Sequence, residues 1–384
     1  MNQFYKVKPL SSKGLFYFPA IGGNLQCLQT LNTLRLLLLP LSWIYGGILS
    51  LRNWFFNNGL NKSFRFDFPV ISVGNLSTGG TGKTPHIEFL AKLLKDKYAV
   101  GVVSRGYGRK TKGFFVVNET STAAEVGDEP LQIKLNHPQI QVAVGEQRIL
   151  AIPSLLNEAP ETQVVLLDDA YQHRYVAPGL NILLSDYSRM FYDDFVLPAG
   201  NLREFRRGYR RADVILVTKC PANISNEQKQ QIISRIKPRK HQQVFFTWLN
   251  YGTPYKLGTP QEMLESMAQH NVQFFGGIAN TKPVEQYLAK STAGYEVKQL
   301  TDHFNYTAEA LTEIETTFTA WGKSNKVLLT TQKDAVKLMQ GGLKEIATKL
   351  PLYVLPIEIG MNDSEKQQFA SVVETYIQKE LSIN

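Results

Sequence analysis

Phe68-Pro69-Val70-Ile71-Ser72-Val73-Gly74-Asn75, followed by Leu76-Ser77-Thr78-Gly79-Gly80-Thr81-Gly82-Lys83-Thr84-Pro85, decides the fold. The first eight residues read as a buried strand. From His86 to Leu94 the apolar positions Ile87, Leu90, Ala91 and Leu94 recur with helical spacing. Strand, glycine loop and helix in this order are the context of a phosphate-binding loop. Glycines let backbone N–H groups turn inward around a polyphosphate, and the helix aims its positive end at the same anion. Lys83 is placed to reach the β- and γ-phosphates, and the Thr84 hydroxyl to ligate Mg²⁺. Asn75, Ser77, Thr78, Gly79, Gly80, Thr81, Gly82, Lys83 and Thr84 therefore form the expected nucleotide cradle. The usual pattern has a glycine where this chain has Ser77; the Gly79–Thr84 core is intact.

Outward from the loop, buried strands end in chemistry. Tyr98–Val103 leads into Ser104-Arg105-Gly106-Tyr107-Gly108-Arg109, and Gly127-Asp128-Glu129-Pro130 follows. Gln163–Leu167 runs into Asp168-Asp169, the pattern that sets a carboxylate beside Mg²⁺ at a strand end. Two adjacent buried acids without a cation are costly. Leu180–Leu184 is a further strand, and Leu197–Glu204 precedes Arg206, Arg207, Arg210 and Arg211. That run reads either as a cradle for phosphate or anionic head groups or as a solvated face. Val217-Thr218-Lys219 at the next strand end is similar to nucleotide-base loops of P-loop proteins. A second α/β unit has strands at Val272–Phe275, Val327–Thr330 and Leu352–Ile357, with Asp302-His303 and Lys333–Lys337 between them.

At 384 residues the chain has room for two domains. With 43% hydrophobic and 20% charged residues it is neither fibrous nor disordered. Two cysteines, Cys27 and Cys220, supply no disulfide framework or Cys-rich metal site, which fits a reducing compartment. A formal charge of +9 favours anionic partners. Residues 1–30 are irregular and carry no secretory-signal pattern. Leu36–Leu51 is uncharged between Arg35 and Arg52 but falls short of the ~20 residues that span a bilayer. With Trp54, Phe55 and Phe56 beside it, this segment reads either as a helix in the membrane surface or as one buried against the core.

Taken together, these motifs, with Gln172-His173, Leu197-Pro198-Ala199-Gly200 and Leu202-Arg203-Glu204, resemble the tetraacyldisaccharide 4′-kinase family, the lipid A kinases of Gram-negative bacteria. The likeness runs from about Leu34 to near the end; Ala170-Tyr171 departs from the family's usual Gly before Gln-His. The resemblance implies an α/β fold: a P-loop NTPase-like (Rossmann-like) core with a mostly parallel sheet, plus a smaller second α/β domain. The expected division is an extension (1–30), a membrane-associating helix (31–62), the kinase core (63–245), the smaller domain (246–358) and a C-terminal helix (359–384) packing back on the core. It further implies transfer of the ATP γ-phosphate to the 4′-hydroxyl of a tetraacylated glucosamine disaccharide 1-phosphate, giving lipid IVA in lipid A biosynthesis, at the cytoplasmic face of the inner membrane. On the same resemblance Asp128 is the base and His303 its dyad partner, Lys83 and Arg203 stabilise the phosphates, and Arg105, Tyr107, Gln172 and His173 line the substrate cleft. Mg²⁺ falls to Thr84 and Asp169 with help from Glu204. No nucleic-acid partner is expected, since aromatic interleaving and a reading motif are lacking, and no obligate protein partner. The alternative is a P-loop regulatory ATPase acting as a nucleotide-dependent switch.

Overall fold

The structure of the chain, a computed structural model, describes residues 35–278 and 280–382; the expected extension 1–30 and Cys27 lie outside them. Fifteen strands fall into two sheets among the described residues. Strands β1 (Val70–Asn75), β2 (Val100–Ser104), β3 (Phe115–Val116), β4 (Gln141–Val144), β5 (Val164–Asp168), β6 (Leu180–Asp186), β7 (Val214–Thr218) and β8 (Gln243–Tyr251) belong to the larger one. Strands β9 (Tyr255–Lys256), β10 (Thr259–Met263), β11 (Asn271–Gly276), β12 (Gly294–Gln299), β13 (Lys326–Thr331) and β14 (Leu352–Leu355) make the smaller one. Strand β15 (Ile357–Met361) then returns to the larger sheet. The orders are β15-β8-β7-β6-β1-β5-β2-β4-β3 and β10-β9-β14-β13-β11-β12.

From β8 through β4 the larger sheet is parallel, with antiparallel strands only at its two edges. Helices cover both faces, so β1, β2, β5 and β7 are buried along their whole length. That explains why they read as continuous apolar runs rather than alternating ones. Strand β1 lies between β5 and β6, and the loops leaving all three open at the sheet's carboxyl edge, where ligands bind in open α/β folds. The segment expected as one strand over Leu352–Ile357 is broken by Pro356: β14 stays in the smaller sheet and β15 pairs with β8. The chain crosses between the sheets at 252–254 and again at Pro356.

The helix Asp363–Leu381 buries Phe369, Val373 and Ile377 in the core of the larger sheet. Its Tyr376 hydroxyl accepts from Val70 N (2.9 Å) and donates to Val70 O (3.1 Å). Gly179 is needed there, because a Cβ on it would come within 2.3 Å of that hydroxyl.

Two helices that frame the glycine loop and Asp128 are joined by one buried acid. Glu88, on Lys83–Leu94, accepts from Asn136 Nδ2 (2.7 Å) and Gln132 Nε2 (3.3 Å) on Asp128–Asn136. Burial pushes its carboxyl up to about 7 from an ordinary 4.5, and the two amide donors only partly oppose this. The folded state therefore holds this proton more tightly than the unfolded chain. The stability it contributes is present below the unfolded value and falls away as pH rises toward 7. Glu88→Gln should flatten that decline, gaining on the order of 2–3 kcal/mol relative to the parent between pH 5 and 8. Urea unfolding across this range checks it; parallel stability curves for the two proteins would contradict the assignment.

Candidate active site

Gly82 takes a left-handed φ of 86° as the helix Lys83–Leu94 begins, and Gly79 one of 101°. Side chains rarely adopt such angles, so glycine is required at both turns. Ser77 does not share the constraint: its φ is not positive, and its backbone bridges to Leu202. The position where the usual pattern has glycine is thus held here by ordinary extended backbone.

Neighbours clamp the loop from several sides. Asn75 Nδ2 donates to Thr81 Oγ1 (2.8 Å), Thr218 Oγ1 to Thr81 O (3.0 Å) and Arg189 to Thr78 O (3.0 Å). Lys219 bonds Gly80 O and pairs with Asp186 (2.9 Å). His86 Nδ1 lies 2.7 Å from Gly82 O, which can only accept, so that nitrogen carries the proton and Nε2 accepts from Thr247 Oγ1 (3.0 Å). Burial lowers this imidazole to about 4, against the Gly82 hydrogen bond, so it is neutral.

The acid pair ends β5 beside the loop. Asp169 takes a left-handed φ of 46° and meets Lys83 (3.7 Å) and Arg203 (3.1 Å). Asp168 is 1% exposed; its Oδ2 accepts from Ser104 (2.9 Å), and its Oδ1 is buried without a partner among the described residues. Burial first, then the charges of Glu129 and Asp169, raise its titration above the usual carboxylate range, against Lys83 and Ser104. An orphaned carboxylate oxygen is what a cation site provides, so the pair fits Mg²⁺. Glu204, expected to assist a metal, is otherwise occupied: it forms a buried pair with Arg211 (2.7 Å) and accepts from Asn53 (3.0 Å). Both of its oxygens already have donors.

Asp128 begins the helix Asp128–Asn136 in the larger unit, and three groups from the smaller unit reach it or its partner. His303 Nδ1 and Lys337 Nζ each lie 3.0 Å from Asp128 Oδ2. Lys333 Nζ lies 3.4 Å from His303 Nε2. A lysine only donates, so Nε2 accepts and Nδ1–H donates to Asp128. Burial alone raises the Asp128 carboxyl, but the hydrogen bonds from His303 and Lys337 and the ammonium charge of Lys337 win and hold it below its ordinary value. Tyr107, exposed, sets its ring 5.2 Å from that of His303.

Gln172 ties the parts together. Its amide donates to Asn75 O (2.7 Å) and its oxygen accepts from Arg203 (3.3 Å). His173 Nε2 is buried and unpartnered among the described residues; burial, then Arg148, Arg52 and Arg105, lower that imidazole to about 4. Arg109 stands apart, paired with Glu146 (2.5 Å) and Gly113 O (2.6 Å).

The helix Leu39–Asn57 rests on this floor. Ser42 accepts from Ala199 N (2.9 Å), Arg52 donates to Gln172 O (3.2 Å), and Arg174 reaches Asn53 O (3.0 Å). Its other side exposes Leu41, Trp43, Ile44, Ile48, Leu51 and Trp54, each more than half exposed. Among the described residues no helix is long and apolar enough to cross a membrane.

Sequence reasoning passed over His86, Arg148, Arg189, Lys333 and Lys337 as site residues. Lys333 and Lys337 sat in a noted motif without a role; the one-turn spacing that puts both on one helix face was the available signal.

Known proteins are similar to this chain over most of its length. A tetraacyldisaccharide 4′-kinase of Flavobacterium johnsoniae is 41% identical over 357 residues, covering 91% of this chain and 99% of that protein. One of Phocaeicola vulgatus is 40% identical over 347 residues, covering 89% and 95%. A crystal structure of LpxK from Aquifex aeolicus, an "apo" form in complex with ATP, superposes with a TM-score of 0.69 at 28% identity, covering 90% of this chain and 99% of that one. The family model described as tetraacyldisaccharide-1-P 4′-kinase matches residues 34–378, and the chain belongs to that family.

Proposed function

We propose that the chain phosphorylates the 4′-hydroxyl of a tetraacylated glucosamine disaccharide 1-phosphate, drawing the phosphoryl group from ATP and giving lipid IVA. Family membership carries the activity, and the observation that supports the residue roles is the meeting of Asp128 with His303 beside a glycine loop whose Lys83 faces Asp169.

A sugar hydroxyl needs a base as its oxygen bonds to phosphorus. Asp128 suits this role: Oδ2 is held by His303 and Lys337, while Oδ1 has no donor among the described residues and is free to take the proton. Lys83, the loop N–H groups and the helix behind them offset the phosphate charge, with Arg203 one contact away through Asp169. Thr84 and the Asp168–Asp169 pair would hold Mg²⁺, with the unpartnered oxygen supplied by Asp168 rather than by Asp169. Bound there, the ion supplies charge neutralisation at the phosphates. Tyr107 beside His303 and Gln172 between Asn75 and Arg203 suit a phosphorylated sugar, with Arg105 and His173 as further lining residues of the reading.

The exposed apolar face of Leu39–Asn57 suits the membrane surface, with Arg206 and Arg207 beside Leu39 and Trp43 for anionic head groups. These features support the reading of a peripheral or monotopic enzyme that works at the cytoplasmic side of the inner membrane.

Asp128→Asn should keep ATP binding and lose about 10²–10⁴-fold in turnover, measured by transfer of radiolabelled phosphate to the disaccharide; near-parent turnover would remove Asp128 as base. Ile44→Glu with Ile48→Glu should abolish flotation with vesicles containing anionic phospholipid while sparing turnover on detergent-dispersed substrate. Undiminished flotation would refute the surface placement.

A further inference from the structure

The helix Gln332–Leu338 brings a second donor, a lysine ammonium, to Asp128. Lys337 Nζ is 3.0 Å from Asp128 Oδ2, and both side chains are only 12% exposed. Lys337 also donates to Phe304 O (3.1 Å), one residue from His303. Lys337 and His303 thus grip the same carboxylate oxygen from one lobe while Asp128 belongs to the other.

We propose that Lys337 is a positioning residue for phosphoryl transfer: from the smaller lobe it pins Oδ2 of Asp128 beside His303, keeps the carboxylate ionised, and leaves Oδ1 directed at the acceptor hydroxyl. The inference rests on the reading of Asp128 as base. Three physical points carry it. A carboxylate pinned through one oxygen by two donors loses its rotational freedom, so the free oxygen is fixed in direction. A half-buried carboxylate drifts toward the neutral form unless cations oppose this, and a neutral carboxyl cannot accept the proton. The pin also crosses the lobes, so the base is fully set only when they are together.

The groups around Asp128 define what a pH experiment reads. His303 and Lys337 face it from the smaller lobe, Lys333 stands behind His303 and Asp302 (2.9 Å), and Glu129 adjoins it on its own helix, 3.8 Å from Lys333. Tyr107 flanks His303. Of these, the hydrogen bonds from His303 and Lys337 and the ammonium charge of Lys337 oppose the effect of burial at Asp128. Removing Lys337 therefore moves the carboxylate's titration upward, whereas a purely structural loss leaves it in place.

The experiment measures kcat against pH for the full chain, with ATP and detergent-dispersed disaccharide, in the parent, Lys337→Met, Lys337→Arg and Asp128→Asn. Lys337→Met should bind ATP normally, lose roughly tenfold or more in kcat, and show its acidic limb raised by about one pH unit. Lys337→Arg should restore the limb and part of kcat. A Lys337→Met enzyme with an unmoved limb overturns the proposal, whatever its kcat. Should Lys337→Met not fold, the charge-keeping Lys337→Arg carries the test, and a limb raised by a full unit in that variant overturns it. Asp128→Asn separates the two readings. Turnover near the parent's removes the base itself; an inactive Asp128→Asn beside an unmoved Lys337→Met limb removes only the lysine.

Discussion

One carboxylate is shared by two lobes, and the rest of the site is arranged around that constraint. Asp128 opens a helix packed on the larger sheet, while its donors His303 and Lys337 hang from the smaller one. Neither sheet alone satisfies the acid. Burial raises the cost of its charge, and only the imidazole and ammonium from across the cleft offset it. The two chain crossings at 252–254 and Pro356 keep those lobes in register, and β15, by pairing with β8, ties the return crossing into the larger sheet. Glu88 adds a second tie, from the phosphate-loop helix to the helix that carries Asp128. The glycine loop and Asp128 are therefore set relative to one another by buried hydrogen bonds rather than by the loops themselves.

The helix with the exposed apolar face is built into the same network. Gln172 donates to Asn75 O beneath the glycine loop, accepts from Arg203, and offers its own carbonyl to Arg52 of the amphipathic helix. Glu204 pairs with Arg211 and holds Asn53 of that helix. The element with the exposed apolar face is thus two hydrogen bonds from the phosphate loop. That arrangement suits chemistry on the head group of a lipid whose chains stay in the bilayer.

Much of the fold was legible because parallel strands buried on both faces announce themselves as unbroken apolar runs, as in Val164–Leu167 and Val214–Val217. Strand β4 and the half-exposed β12 were missed for the converse reason: β4 is four residues long, and β12 carries Glu296 and Lys298 in its run. The glycine loop and the acid pair were legible as local patterns. Non-local pairings were not. Nothing near Glu204 foretells Arg211 and Asn53 as its partners at once, and spacing alone cannot choose between Asp168 and Asp169. Only burial and the count of donors show that Asp169 is already paired while Asp168 has a free oxygen. The role of Lys337 was hidden for the same reason, since its partner lies over two hundred residues earlier in the chain.

Backbone strain marks the places where these demands meet. Asp169 and His303 are non-glycine residues with left-handed φ of 46° and 56°. Such conformations cost of order 1 kcal/mol or more and persist only when surroundings enforce them. For Asp169 the enforcement is ionic, through Lys83 and Arg203. For His303 it is local. Its N–H donates to Asp302 Oδ1 (3.0 Å), and Asp302 is itself held by Lys333 at 2.9 Å. Gly277 passes close beneath, where a Cβ would come within 2.8 Å of Thr301 O, and Asp334 holds that glycine's N–H at 3.0 Å. The turn that presents the imidazole is therefore fixed from below by Asp334 and from the side by Lys333. Both belong to the short helix that also carries Lys337, so one turn and a half of helix sets the imidazole, its tautomer and the ammonium on Asp128.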